Sequence, residues 1–272
     1  MSTSQKRVRN AIHPIHRRFK TRQTQLLYPQ LSSKFYSDTM FASTTSICHF
    51  TCGQIFINDL NFSRFIPMKL KADARDVLMY MIQDIGIPFE MHVDGAKEEN
   101  LGSWEEVRKA CLIKQTQTEP YSPWQNRAES SIRELKKMVE QLMLRSRPPE
   151  CLWDFCFVYA SDIRTMMSHS LPQLEGHMPY KHVTGNTPGI SEHLDFSWYT
   201  KVWYYDNKDW PDQKATVGRW LGVAHRIGQD MCYWVLAKDN QHLCALPSLK
   251  LHPGPVAQRG IRTLSNSLVH NL

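Results

Sequence analysis

The sequence has no uninterrupted apolar run of the roughly 18–20 residues that a membrane helix needs, and its basic N-terminal residues are not followed by an apolar signal-type segment. Both absences argue against a membrane protein and against one exported through a cleaved signal. The seven cysteines are odd in number and lack small-domain spacing, which argues against a disulfide framework and for a reducing compartment. Cys48 and Cys52 flank His49, but no second Cys or His pair lies at a finger-like distance, so a structural zinc is not expected. Cys111, Cys151, Cys156, Cys232 and Cys244 stand among apolar neighbours and read as core thiols. Acidic residues are also missing from the whole stretch before Asp38.

What is present describes a globular chain. Its 272 residues, 42% apolar and 22% charged, suit one large domain or two ordinary ones. The net charge of +7 is unevenly placed: Lys6, Arg7, Arg9, Arg17, Arg18, Lys20, Arg22 and Lys34 precede the first acid, leaving 25 bases against 26 acids in the remainder. A basic arm on a nearly neutral body points to a polyanionic partner, nucleic acid being the usual one.

Along the chain, 34–42, 49–58 and 62–70 read as three strands of an antiparallel meander. Apolar spacing over 72–85 predicts a helix with Gly86 at its C-terminal cap. A fourth strand over 88–93 ends at Asp94-Gly95. A short helix over 103–112 is expected to start at Ser103, with Glu106 completing a capping box. A fifth strand covers 113–118. The longest periodic segment, 124–145, has apolar residues at 128, 132, 135, 139 and 142 and predicts an amphipathic helix. Another helix follows over about 150–167. Beyond Thr184 to Gly189, short aromatic-rich runs at 198–205, 219–225, 231–237 and 242–246 suggest a small all-β module. Trp198, Trp203, Trp220 and Trp234 at strand spacing read first as core, with base stacking the functional alternative.

Three acids occupy telling positions: Asp38 within the first strand, Asp94 at the end of the fourth, and Glu129 in the first turns of the long helix. Strands one and four are neighbours in a sheet of this order, and the helix packs beside their ends, so the carboxylates can converge. Converging carboxylates repel unless a cation joins them. Hard oxygen ligands suit Mg²⁺ or Mn²⁺, and paired ions of this kind serve phosphoryl transfer. On the helical wheel Arg133 and Lys136 lie about 40° and 20° from Glu129, placing cations for a phosphate backbone on the same face. A solvated Glu forming an i,i+4 pair is the plainer reading of Glu129. Asp59 is explained by its Asn58-to-Asn61 turn, Glu119 belongs to a strand end, and Asp84, Glu98 and Glu99 read as surface acids.

Phe35-Tyr36-Ser37-Asp38-Thr39, His92-Val93-Asp94-Gly95-Ala96 and the segment from Glu119 to Glu129 (EPYSPWQNRAE) together resemble the integrase core of copia-type LTR retrotransposons. That family belongs to the retroviral integrase superfamily. Between Asp94 and Glu129 lie 34 residues, close to the spacing for which the superfamily's motif is named. Gly218 to Val223 and Tyr233 to Leu236 resemble the family's C-terminal β module.

The resemblance implies an α/β chain with a ribonuclease-H-like mixed five-stranded sheet and flanking helices, plus the small C-terminal all-β module. The domains expected are a basic arm at 1–33, a catalytic core at 34–183, the β module at 184–252 and a flexible tail at 253–272. Asp38, Asp94 and Glu129 would bind Mg²⁺ or Mn²⁺ and carry 3′ processing and strand transfer of element DNA into target DNA. Arg127, Arg133, Lys136, Arg17, Arg18, Lys20 and Arg22 would contact nucleic acid. The family's His/Cys zinc domain is not found before the core, so a piece of a transposable element's polyprotein is expected. A non-catalytic nucleic-acid-binding remnant is the alternative function, and a ribonuclease-H-like nuclease acting on RNA is a third reading. Homo-oligomers and nuclear action, otherwise cytoplasmic, complete the expectations, with no membrane partner.

Overall fold

A computed structural model describes residues 26–94, 102–119, 127–205, 215–225, 232–237, 243–247 and 251–253. Arg17, Arg18, Lys20 and Arg22, the 120–126 part of the motif, Glu98, Glu99 and the 254–272 tail lie outside the described residues.

The meander forms as its alternation requires. β1 (Lys34–Phe41), β2 (Cys52–Asn58) and β3 (Ser63–Met68) pair antiparallel in sequence order. β4 (Glu90–Val93) then adds parallel to β1, and β5 (Lys114–Gln117) parallel to β4. The order β3-β2-β1-β4-β5 is the mixed five-stranded sheet of a ribonuclease-H-like fold. Every residue of β2 is buried, as a strand covered on both faces must be.

The period of two splits the sheet into two cores. Phe35 and Phe56 face α1 (Ala74–Asp84) and α2 (Ser103–Ala110), whose Val77, Leu78, Met81, Ile82, Trp104 and Val107 fill the first core. Met40, Ile55 and Ile57 face α3 (Arg127–Ser146) and α4 (Trp153–Met166) in the second. Gly53 is required there: a β-carbon would strike the Phe65 ring, which packs against Phe157 at 4.9 Å between centroids.

Some boundaries differ from expectation. The arm does not reach residue 33. Ile87 donates its N–H to Pro29 at 2.8 Å and accepts from Leu31 at 2.8 Å, so 29–31 extend the pairing and bury Leu31. Gly102, at φ 68°, occupies the N-cap of α2, leaving Ser103 inside the helix and the capping box unformed. The helix expected at 150–167 opens as a 3₁₀ turn, Glu150–Leu152, before α4.

After the short helices α5 (Pro179–Thr184) and α6 (Ser191–Leu194), a second sheet forms. It contains β6 (Lys201–Tyr205), β7 (Ala215–Val223), β8 (Cys232–Ala237), β9 (Leu243–Pro247) and β10 (Leu251–Pro253), ordered β10-β6-β7-β8-β9. β10 was not foreseen, and it carries the module one residue into the expected tail. Trp220 and Tyr233 are fully buried with Phe196 in this module's core. Leu221 and Leu236, with Trp198 and Tyr199, instead share the second core with α3 and α4. The module is therefore joined to the first five-stranded sheet through packed side chains.

Candidate active site

Asp38 lies opposite Ile55 of β2, near the middle of the sheet. On its other side Ser37 pairs with Val93, so Asp94, the next residue on the parallel strand, stands alongside Asp38. Strand polarity alone brings these two acids together. Beneath them a polar stitch fixes the register: Gln54 donates to Ser37 at 2.6 Å and accepts from the Thr39 hydroxyl at 2.8 Å, with Ser37 and Gln54 fully buried.

Glu129 arrives from the first turn of α3, whose Ala128, Ser131, Leu135 and Val139 are buried toward the sheet. Its side chain remains 54% exposed and stands 3.6 Å from Arg133. The plain i,i+4 pair is thus present, and it coexists with electrostatic coupling to the aspartates. Burial pushes the Asp38 carboxyl up from 3.8 to about 6; a 2.7 Å hydrogen bond from the Thr39 N–H opposes this, Asp94 and Glu129 raise it further, and Lys71 lowers it. Lys71, in a 3₁₀ turn after β3, is a neighbouring cation that sequence reasoning did not single out.

Asp38, Asp94 and Glu129 are hard oxygen donors whose mutual repulsion a divalent cation would relieve, so their chemistry fits Mg²⁺ or Mn²⁺. Among the described residues no three His, Cys, Asp or Glu side chains stand together closely enough to hold an ion. Asp94 and Glu129 both act electrostatically on the Asp38 carboxyl.

Next to this group, His92 is buried between β5 hydroxyls, with Nδ1 2.9 Å from Thr116 and Nε2 3.3 Å from Thr118. Burial lowers its pKa. Of the proposed nucleic-acid contacts, Arg133 and Lys136 are exposed on α3, whereas Arg127 pairs with Asp59 at 2.8 Å. Burial and the nearby Asp59 carboxylate raise the pKa of the Tyr36 hydroxyl. Turn chemistry therefore does not exhaust Asp59's role. Tyr36 and Asp38 share a strand face at i,i+2, and that signal pointed to this neighbourhood.

Asp84 meets Arg64 at 2.9 Å, and Arg64 also holds Asp162, which bonds His225 of the β module at 2.7 Å. This network, absent from the sequence reading, ties β3, α1, α4 and the module together. Trp198 and Trp220 are buried and Trp234 packs edge-on against Phe155, a core role for all three.

No family model and no curated protein sequence matches the chain. Among solved structures, it is similar to a chain of the simian T-cell lymphotropic virus intasome in complex with PP2A regulatory subunit B56 gamma. That match has 12% identity, covers 82% of this chain and 81% of the other, and has a TM-score of 0.42. It is also similar to the HTLV-2 integrase catalytic core domain in complex with magnesium, in its trimeric form. There the identity is 11%, the coverage 56% of this chain and 96% of that one, and the TM-score 0.44.

Proposed function

We propose that the protein is a retrotransposon integrase-like polynucleotidyl transferase, dependent on a divalent cation, that acts on element and target DNA. The observation that carries this reading is the placement of Asp38 on central β1 beside Asp94 at the end of β4 in a ribonuclease-H-like sheet, with Glu129 near enough to act on the Asp38 carboxyl. Asp38, Asp94 and Glu129 hold Mg²⁺ or Mn²⁺. When bound, such an ion supplies charge neutralisation and Lewis acidity at a phosphodiester.

The chain's own groups bind and orient. Asp38 and Asp94, fixed on adjacent strands, set one side of the site, and Glu129 closes it from α3. Arg133 and Lys136, exposed beside Glu129, take backbone phosphates of a DNA strand. In 3′ processing water attacks a phosphodiester near the element's end; in strand transfer the freed 3′-hydroxyl attacks a target phosphodiester and expels a target 3′-oxygen. Homo-oligomers working in the nucleus follow from that activity.

A second reading, a nucleic-acid-binding remnant without catalysis, is favoured by the Glu129–Arg133 pair and the open carboxylates. Strand transfer on labelled duplex DNA with Mg²⁺ or Mn²⁺ separates the two. The parent should form joined product and Asp94→Asn should not. Equal product from both would remove the mechanism, and DNA binding without product from either would select the remnant.

A further inference from the structure

The carboxylate reading needs Glu129 held toward the aspartates, although its turn of α3 leans on small side chains. Of the residues α3 buries, Ala128 and Ser131 flank Glu129; Ile132 packs on the second core only partly buried, and the first fully buried large residue, Leu135, comes more than a turn later. The side of that turn facing the β2–β3 connection borders a cavity of about 540 Å³ lined by Asn58, Asp59, Arg127, Ser131 and Arg164 among others. Apolar packing by Ala128 and Ile132 alone does not fix the turn there.

Polar contacts do. Arg127 Nη1 lies 2.8 Å from Asp59 Oδ1 and 3.4 Å from the Asp59 carbonyl oxygen. Asp59 also acts electrostatically on Tyr36 of β1, two residues before Asp38 and on the same face. Its turn is rigid, since Asn58 Oδ1 accepts the N–H groups of Leu60 at 3.0 Å and Phe62 at 2.9 Å. From the other side the buried Arg164 of α4 reaches Asn61 Oδ1 at 3.1 Å and Glu134 of α3 at 2.7 Å. Arg127, two residues before Glu129, is thus fixed to the turn after β2.

We propose that Asp59 and Arg127 are positioning residues, whose ion pair sets the first turn of α3 and so the placement of Glu129 beside Asp38 and Asp94. The inference rests on the reading of those three acids as the cation-binding set. An exposed pair of this kind contributes little to global stability, whereas a displacement near 1 Å at a reacting centre costs about a hundredfold in rate. The two effects separate cleanly.

The test compares the full chain with Asp59→Asn, Arg127→Gln and the exchanged pair Asp59→Arg with Arg127→Asp. Three measurements are made: Mn²⁺ binding by electron paramagnetic resonance, strand-transfer kcat and KM for DNA, and thermal unfolding. Each single variant should bind Mn²⁺ more weakly and lose about ten- to a hundredfold in kcat. KM and the unfolding temperature should stay near those of the parent, and the exchanged pair should recover much of the loss. A parent that binds Mn²⁺ and transfers strands, with Asp59→Asn unchanged, overturns this inference alone. So does an Arg127→Gln effect confined to KM, which would make Arg127 a phosphate contact. A parent that neither binds Mn²⁺ nor transfers strands overturns the functional reading, and this inference with it.

Discussion

Asp38→Asn is expected to stabilise the protein at neutral pH while removing the proposed activity. The Asp38 carboxyl titrates at about 6 when folded and at 3.8 as a free group, because burial and the neighbouring acids disfavour its charged form. A raised acid binds its proton more tightly in the native state, so stability is highest below pH 3.8, falls as pH rises through 6, and stays lower above it. A displacement of this size corresponds to about 3 kcal/mol at most. Partial solvent access and salt bring the expected gain to about 1–3 kcal/mol. Asparagine keeps an acceptor for the Thr39 N–H, so the hydrogen bond at 2.7 Å survives the change. Urea denaturation of parent and variant at pH 7.5 and at pH 3.5 measures the effect. The variant should gain stability at the higher pH and match the parent at the lower. Mg²⁺ should then stabilise the parent at pH 7.5 and leave Asp38→Asn unmoved. A variant less stable than the parent at pH 7.5, or offset equally at both, would refute the electrostatic account of the site.

Three further outcomes test other links. Gly53→Ala should cost about 1–3 kcal/mol in chemical denaturation, because its methyl drives into the Phe65 ring between β2 and α4. Glu90 is held down to about 2, from 4.5, by Lys114 at 2.7 Å and Lys34 at 2.9 Å. Its contribution is complete above pH 4.5 and lost as pH falls toward 2, so replacing both lysines by methionine should flatten that window by about 1 kcal/mol. Leu236→Ala should cost about 2–4 kcal/mol and lower one calorimetric transition shared by core and β module, since its side chain lies in the core common to both. Two separate transitions, only one of them moving, would show that the module folds alone.

The sequence carried the sheet because each strand and helix there had its own local pattern. Aromatic and branched runs between turn signals marked β1 to β3, helical spacing marked α1 and α3, and chain order made strands one and four neighbours, which the structure pairs in parallel. The α2 cap was misjudged because Ser103 and Glu106 satisfy the local rule, while Gly102's left-handed backbone moved the helix start by one residue. What had no local pattern was long-range and polar. Asp59 meets Arg127 across 68 positions of chain, and Arg64 meets Asp162 across 98. Neither pair leaves a periodic trace, and Asp59's place in an Asn-rich turn gave it a sufficient local explanation. The module's attachment was hidden for the same reason: Leu221 and Leu236 look like ordinary strand residues until α4 is placed against them.

The three acids therefore sit under two kinds of control. Asp38 lies within β1 and Asp94 directly follows β4, so the parallel register of β1 and β4 fixes their spacing. Glu129 belongs to a helix end whose apolar packing near it rests on Ala128 and the partly buried Ile132, with the Arg127–Asp59 pair beside it. Repulsion among the carboxylates acts on the weaker of these two constraints.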